Sequence, residues 1–330
     1  MVETSDSGLL ATGAVVVEVA RELLVATGAD RVRFLQGIVT GNIAGTSVGA
    51  GCHAALLTTK AHVVAEMWAF PRESDLYLAV PAGEGAAVAQ ALSRYAIMDD
   101  FAVAPRADFG FIGLFGPQSA ARLSEAGFAP HALEARRLWS HADLPGPGGG
   151  VLWLARARQL GVDGYWIGGP SAVVGELVDA LDKHGVRRLS AQIAEASRIV
   201  AGEPAWGREI TGDYFPMEVG LDDAIDYTKG CFLGQEPIVR IRDRGHVNWR
   251  LVRLELPALT DSAQGGYAPA PGDRLETDAK PKAGRLTSVA RLADGRGVAL
   301  ALAHVSIVAG QQVRVQAADG DGTALATVAP

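Results

Sequence analysis

The strongest constraint on the fold is the alternation of short apolar runs with helix-like segments along the first two thirds of the 330-residue chain. The strand-like runs are residues 15–19, 22–27, 53–58, 62–70, 76–80 and 109–115. The helix-like segments are residues 31 to about 41, which follow Asp30 as a cap, and residues 86–95, 171–183 and 190–201. This alternation is typical of α+β or α/β domains, and it argues against an all-β sandwich or a helical bundle.

The last part of the chain has a different pattern. Short strand-like runs at 285–292, 298–303 and 312–316 are separated by turn signals such as Asp294-Gly295 and Ala309-Gly310. Helix-like spacing does not return among them. The pattern predicts a small all-β C-terminal module of about 80 residues.

Composition excludes several classes of protein. The chain is 48% hydrophobic and 20% charged, which is enough apolar material for several cores. The best candidate membrane span, residues 297–310, contains His304 and stops short of the roughly 18 apolar residues that a span needs. The net charge of -7 argues against a chain-wide electrostatic grip on nucleic acid. The first twenty residues have no basic start typical of a secretory signal, so we expect a cytoplasmic protein.

Charge changes sign abruptly within one part of the chain. Residues 203–226 contain seven acids and one base, whereas residues 229–253 contain six bases and two acids. One interpretation is an anion-binding surface beside an acidic neighbour. The other is mutual salt bridging, in which each surface pair contributes only about 0–1 kcal/mol. Charge alone leaves both interpretations open.

One of the two cysteines lies inside this charge switch. Cys52 and Cys231 are too far apart for a CxxC metal or redox pair, and Cys52 is typical of a small core residue. Cys231 belongs to Lys229-Gly-Cys-Phe-Leu-Gly-Gln-Glu236. Glycines allow a ligand to approach the backbone closely, and an adjacent lysine favours the thiolate of a cysteine. We therefore predict Cys231 as a reactive thiol.

This segment resembles the KGC[FY]xGQE signature of the YgfZ family of folate-binding proteins, relatives of the glycine cleavage T-protein. Similar segments follow in order along almost the whole chain: residues 25–40, 57–61, 198–207, 216–218, 244–248 and 284–288. The resemblance implies an α+β protein of the T-protein type, a three-domain ring around a channel that binds tetrahydrofolate. Residues 1–245 would then form two interleaved α+β folate-binding domains, and residues 246–330 a C-terminal β-barrel domain.

The resemblance also implies a function. Family members support iron-sulfur cluster assembly or repair and, indirectly, tRNA modification. The expected cofactor is tetrahydrofolate or a one-carbon derivative, and the expected partners are iron-sulfur client or assembly proteins. We expect no resident metal, no direct contact with nucleic acid and no membrane. Cys231, with Lys229 beside it, would be the functional thiol, as a nucleophile, a redox group or a transient cluster ligand.

Several further residues are candidate folate contacts. Arg240 and Arg244 match the carboxylates of a folate glutamate tail, and Arg242 and Arg250 are further candidates for the same pairing. Glu218, Gln235 and Glu236 are candidates for the ring donors of the pterin, and the sequence leaves open which of them reaches the ring. Trp249 is placed either to stack on an aromatic ring of the ligand or to pack at a domain interface.

Two positions depart from the family pattern. Val200 stands where the central element usually has a glutamate that contacts the pterin, and residues 81–90 contain Glu84 but lack the aspartate that T-proteins use. Whether the protein is an enzyme is therefore open. The alternative is a tetrahydrofolate-dependent aminomethyl or methyl transferase with Glu84, Asp99 or Asp100 as the base. We favour an exposed turn for Asp99 and Asp100.

Overall fold

The computed structural model describes residues 5–258, 267–320 and 322–330, which form two compact units. The first, here called the sheet unit, consists of Ser7–Leu189 and Asp223–Val239. The second, the barrel unit, contains Ser190–Asp222 and Arg240–Pro330. Among the described residues, no helix has both the length and the apolar character needed to cross a membrane.

The sheet unit contains two sheets. Its strands are β1 Val15–Glu18, β2 Arg21–Thr27, β3 Cys52–Leu57, β4 Val63–Pro71, β5 Leu76–Pro81, β6 Ala102–Pro105, β7 Phe109–Phe115, β8 His141–Pro145, β9 Val151–Gln159, β10 Val162–Pro170 and β11 Arg187–Arg188. One sheet has the order β3-β4-β5-β2-β6, and the other has the order β11-β1-β7-β10-β9-β8. All of the pairs are antiparallel except β1 with β11. This mixture of sheets and helices confirms the α+β class.

The sheet unit also contains helices, and the apolar face of the longest of those described packs against a sheet. They are α1 Ser5–Thr12, α2 Arg31–Ile38, α3 Gly85–Ser93, α4 Ser119–Glu125, α5 His131–Glu134 and α6 Ser171–Lys183. In α6, Leu177 and Leu181 recur at a spacing of four residues and pack with Leu154 and Ile167 of the six-stranded sheet. The helix predicted at 171–183 is thereby confirmed.

Aromatic side chains join the two sheets inside the sheet unit. Phe70 of β4 meets Trp153 of β9 edge to face, with ring centroids 4.8 Å apart. His141 of β8 contacts the same Phe70 ring at 5.3 Å. Edge-to-face pairs of this kind add about 0.5–1.5 kcal/mol each beyond the area they bury. The contact fixes the position of β4, and with it that of its hairpin partner β3.

The barrel unit begins with α7 Ala191–Ala201. Ser190 caps this helix by accepting a hydrogen bond from the backbone N–H of Ile193 at 3.3 Å, and Gly202 ends it with a φ of 73°. The helix predicted at 190–201 is thereby confirmed. The strands that follow are β12 Trp249–Ala258, β13 Arg274–Thr277, β14 Lys280–Arg291, β15 Arg296–His304, β16 Gln312–Gln316 and β17 Thr323–Val328.

These six strands close into a barrel of order β12-β15-β14-β13-β16-β17, which confirms the predicted all-β module. Its interior is apolar, and Leu254, Leu275 and Val315 are fully buried. On its outside, Ile199 of α7 packs against Leu300 of β15. Sequence analysis located β14, β15 and β16 but missed β12, β13 and β17.

A buried ionic network attaches α7 to the barrel. Arg198 pairs with the fully buried Glu209 at 3.0 Å and donates to the Ser288 hydroxyl at 2.7 Å. Ser288 donates in turn to the other oxygen of Glu209 at 2.6 Å. Arg198 also pairs with Glu195 at 2.7 Å, and Arg208 reaches the same carboxylate at 2.5 Å. Part of the acidic stretch at residues 203–226 therefore serves to stabilise this unit.

Candidate functional site

The cysteine segment, defined here as residues 223–236, is fixed to the sheet unit through Thr40. The hydroxyl of Thr40 donates to the Ala224 carbonyl at 2.5 Å and accepts from the backbone N–H of Ala55 at 2.8 Å. The Thr40 carbonyl accepts from the N–H of Asp226 at 3.0 Å. Thr40 is fully buried, so these bonds form away from water and hold the segment against β3.

Lys229 provides a second attachment. Its ammonium donates to the carbonyls of Val39 and Gly41 at 2.6 and 2.7 Å, and the side chain is buried. It also lies 5.4 Å from the centre of the Phe232 ring. Burial lowers the pKa of this amine to about 8. The structure therefore directs the lysine inward to the loop after α2, and its predicted catalytic role stays a prediction.

A tight turn precedes Lys229. One carboxylate oxygen of Asp226 accepts from the N–H of Thr228 at 2.7 Å, from its hydroxyl at 2.6 Å and from the N–H of Lys229 at 3.1 Å. These bonds hold the pKa of Asp226 below its usual value, because they favour the charged form. The turn sets the direction in which the chain enters the glycine-flanked part of the segment.

The two glycines that flank Cys231, Gly230 and Gly234, differ in how much space a side chain would have at each position. Gly234 has a φ of +79°, and a Cβ there would lie 2.6 Å from the Thr58 carbonyl of the β3–β4 turn. Gly230 has open space around the same position. Cys231 is exposed, whereas Phe232 next to it is buried. Gly234 therefore serves the fold, and Gly230 leaves room beside an accessible thiol.

The other cysteine has a different environment. Cys52 opens β3 and is half-buried. Burial raises the pKa of its thiol, although Thr46 and Lys229 oppose that effect. Cys52 is thus held as a neutral thiol near the Lys229 amine, consistent with the packing role predicted for it.

A histidine next to Cys52 forms a chain of charges that sequence analysis missed. His53 lies 3.0 Å from Asp223 through Nδ1 and 3.0 Å from Glu66 through Nε2. The second oxygen of Glu66 pairs with Arg21 at 2.5 Å. The available signal was Glu66, a carboxylate within the otherwise apolar run of β4. Its partner Asp223 is 170 positions from His53, and no local pattern connects the two.

The predicted site residues fall in both units. Lys229, Cys231, Gln235 and Glu236 belong to the sheet unit, and Glu218, Arg240, Arg244 and Trp249 belong to the barrel unit. Helix α8, Gln235–Arg244, carries four of them. Positions 236, 240 and 244 recur every four residues and so share one face of this helix. Sequence analysis missed α8 because Pro237 interrupts its pattern, but proline is tolerated in a first turn.

Glu218 is placed by its own protein partners. Its carboxylate is buried and accepts backbone N–H bonds from Phe215 at 3.2 Å and from Asn248 and Trp249 at 3.3 Å each. The half-buried Trp249 ring meets His304 edge to face, with centroids 6.0 Å apart. Glu218 thus fixes the backbone on which Trp249 is mounted.

Several arginines of the basic stretch at residues 229–253 bind groups of the protein itself. Arg250 donates to the Ile307 carbonyl and Arg253 to the Val200 carbonyl, while Arg242 pairs with Asp243 at 2.6 Å. Val200 itself is 41% exposed, so an apolar side chain faces water where the family pattern has a carboxylate. Internal bonds therefore account for part of this charge, and Arg240 and Arg244 remain predictions as anion contacts.

Comparison with known proteins shows which family this chain resembles. Residues 12–229 match the family described as GCVT N-terminal domain. A chloroplastic protein of Arabidopsis thaliana named as a transferase is 24% identical over 82% of this chain, and the match spans 60% of that protein's length. The tRNA-modifying protein YgfZ of Serratia proteamaculans is 26% identical over 83% of this chain and 79% of its own.

A solved structure shows the same fold. The glycine cleavage system aminomethyltransferase T of Bartonella henselae superposes with a TM-score of 0.84 at 20% identity, over 98% of this chain and 87% of that one. This likeness confirms the predicted T-protein type of fold with its C-terminal barrel. Because the family match extends over most of the chain, this protein belongs to the GCVT N-terminal domain family, within the YgfZ/GcvT-like group.

Proposed function

We propose that this protein binds tetrahydrofolate or a one-carbon derivative and supports iron-sulfur cluster assembly or repair, indirectly serving tRNA modification, with Cys231 as its functional thiol. Family membership and the relative named as a tRNA-modifying protein support the folate and tRNA parts of the proposal. Its working compartment in this proposal is the cytoplasm, and its partners are iron-sulfur client or assembly proteins.

The observation that carries the proposal is the geometry of the thiol. The chain alternates from the buried Lys229 to the exposed Cys231 and back to the buried Phe232 within four residues. An exposed thiol on a segment anchored on both sides is presented to a partner without being free to collapse onto the surface. With only two cysteines in the chain, any cluster chemistry would need ligands from that partner.

For the folate itself, the shared face of α8 is the proposed contact. Arg240 and Arg244 would pair with the carboxylates of the glutamate tail, while Gln235 or Glu236 would meet the ring donors of the pterin. Glu218 would act by positioning the Trp249 backbone, leaving the indole ring to stack on the ligand. Val200 removes one expected carboxylate contact, so we expect pterin binding to depend strongly on α8.

A tetrahydrofolate titration of the full chain, followed by calorimetry, tests the folate part. Arg240→Ala should weaken binding by about tenfold or more, because a charge-assisted bond to a carboxylate is lost. Arg242→Ala is the matched control: it lies off that face and pairs with Asp243, so binding should stay within about twofold. Absence of binding by the unmodified protein would overturn the folate assignment.

Complementation tests the thiol. In a strain lacking the protein, Cys231→Ala should fail to restore iron-sulfur enzyme activity, whereas Cys52→Ala should restore it, since Cys52 is half-buried. Both variants should be present at wild-type levels by immunoblot. Full restoration by Cys231→Ala would remove this residue from the proposal.

The alternative is a tetrahydrofolate-dependent one-carbon transferase, which the T-protein fold permits. Two of its three candidate bases are already engaged: Asp99 pairs with Arg33 at 2.6 Å, and Asp100 accepts from the Ala29 N–H at 2.9 Å, which leaves Glu84 as the third candidate. Both bonds support the turn expected for these aspartates. Formation of 5,10-methylene- or 5-methyl-folate from tetrahydrofolate and an aminomethyl or methyl donor would establish the alternative.

A further inference from the structure

His53 has a carboxylate at each ring nitrogen. Nδ1 lies 3.0 Å from an oxygen of Asp223, and Nε2 lies 3.0 Å from an oxygen of Glu66. An ionised carboxylate only accepts hydrogen bonds, so both ring nitrogens must carry a proton for both bonds to exist. The geometry therefore describes an imidazolium bridging two anions.

The inner end of this bridge is firmly charged. Glu66 is buried, and its other oxygen pairs with Arg21 at 2.5 Å. Burial alone would raise the pKa of Glu66, but Arg21 and His53 more than offset it and lower the pKa to about 2. The outer end, Asp223, has a side chain that is 67% exposed. The two bonds of His53 thus differ greatly in how easily solvent replaces them.

The ring of His53 is held in one orientation by its neighbours. It stacks on Trp68 with centroids 4.3 Å apart and planes 3° apart. Trp68 stacks in turn on Trp139, with centroids 3.4 Å apart. This stack, which covers one face of the imidazole, favours the ring orientation that lies between Glu66 and Asp223.

We propose that protonated His53 is a positioning residue for the cysteine segment, clamping Asp223, the first residue of that segment, to the buried Glu66–Arg21 pair. The clamp adds a third attachment to those made by Thr40 and Lys229. The inference rests on the proposed function only for the use made of Cys231.

Loss of the proton would open the clamp from its outer end. A neutral ring has one N–H, and it stays with Glu66 because leaving that buried carboxylate oxygen without a donor costs more than returning exposed Asp223 to water. The charged groups that face His53 are Glu66 on β4, Asp223 in the segment and Arg21 on β2 behind Glu66. Burial lowers the pKa of His53, but its bonds to the two carboxylates outweigh that effect and raise it. The clamp is therefore closed at low pH and opens as pH rises through that raised pKa.

Asp223→Asn in the full chain tests the clamp, because the substitution is small, exposed and keeps an oxygen acceptor. Hydrogen exchange should show the amides of residues 224–229 opening about tenfold more in the variant at pH 6, as expected for loss of a bond between charged groups. The rate at which N-ethylmaleimide alkylates Cys231, measured on the peptide that contains it by mass spectrometry, should change together with the exchange of these amides. Asp213→Asn, the same charge change at an exposed position of the barrel unit, should leave both readouts as in wild type.

A pH profile separates positioning from mere packing. In wild type, the Cε1–H NMR signal of His53 should titrate with a midpoint above 6.5, and opening of the segment should rise with the same midpoint. In Asp223→Asn that midpoint should fall and the pH dependence of opening should flatten. Equal exchange and equal midpoints in the two proteins would overturn the inference. None of these measurements uses folate, so a failed folate titration would leave the clamp standing.

Discussion

Because a buried histidine is neutral in the folded protein, the free energy of unfolding of the sheet unit depends on pH. His141 accepts from the Trp153 indole N–H at Nδ1 and donates to the Pro71 carbonyl from Nε2, each at 3.1 Å. A second proton would have to be placed on Nδ1, facing the indole N–H. Burial, more than any other cause, lowers the pKa of His141 from 6.5 to about 4. The folded state thus resists protonation that the unfolded chain accepts.

The sign and size of the effect follow from this difference. Between pH 6.5 and pH 4 the unfolded chain binds more protons at this position, so the free energy of unfolding falls as pH falls. At roughly 1.4 kcal/mol for each pH unit, the interval from 6.5 to 4 corresponds to about 3 kcal/mol. A loss of this size is a large part of the stability of an ordinary domain.

The assay compares wild type with His141→Asn by urea unfolding at a series of pH values. Asparagine keeps an oxygen acceptor for Trp153 but does not titrate, so wild type should lose about 3 kcal/mol relative to the variant between pH 7 and pH 4. His131→Asn, at an exposed histidine, is the matched control and should follow wild type. A difference between wild type and His141→Asn that stays constant over this pH range would refute the reasoning.

Three further substitutions test the attachments described above. Lys229→Met should lower the free energy of unfolding by about 2–4 kcal/mol in urea, because two buried carbonyls lose their donor; an unchanged midpoint would contradict this. Gly234→Ala should lower the melting temperature through its positive φ and close backbone contact, at a cost of about 1–3 kcal/mol, while Gly230→Ala should melt with wild type. Glu209→Ala should lower the free energy of unfolding of the barrel unit by about 3–5 kcal/mol in guanidinium. The control Arg208→Ala, at an exposed residue, should lower it by less than about 1 kcal/mol. Losses of similar size in the two variants would disprove the buried network.

The parts of the fold that sequence predicts are those with strong local patterns. Residues 109–115 form β7 over the predicted range, and the helix predicted at 190–201 forms α7. The hairpin of β9 and β10 was missed because Gly161, Gly164 and Gly168 suggest turns. In the structure Gly164 is needed inside the strand, since a Cβ there would collide with the Leu114 carbonyl of β7. A tertiary contact explains that glycine, and local spacing does not reveal it.

The candidate site divides in the same way. The motif around Cys231 is contiguous, so the sequence alone located the thiol and its flanking glycines. The inward direction of Lys229 was not visible, because its partners are backbone carbonyls of Val39 and Gly41 far away in the chain. The bridge through His53 depends on a strand pairing and on a return of the chain, neither of which a local pattern encodes.

The path of the chain between its units has a consequence for synthesis. The polypeptide passes from the sheet unit to the barrel unit after Leu189, returns at Asp223 and leaves again after Val239. A ribosome therefore releases most of the sheet unit long before the piece that carries Cys231. Until that piece arrives, His53 lacks Asp223, the Thr40 hydroxyl lacks the Ala224 carbonyl and the Val39 carbonyl lacks Lys229, so a nascent chain exposes an incomplete surface. The Cys231 thiol thus lies in the part of the sheet unit that is synthesised last, after the whole intervening stretch 190–222 of the barrel unit.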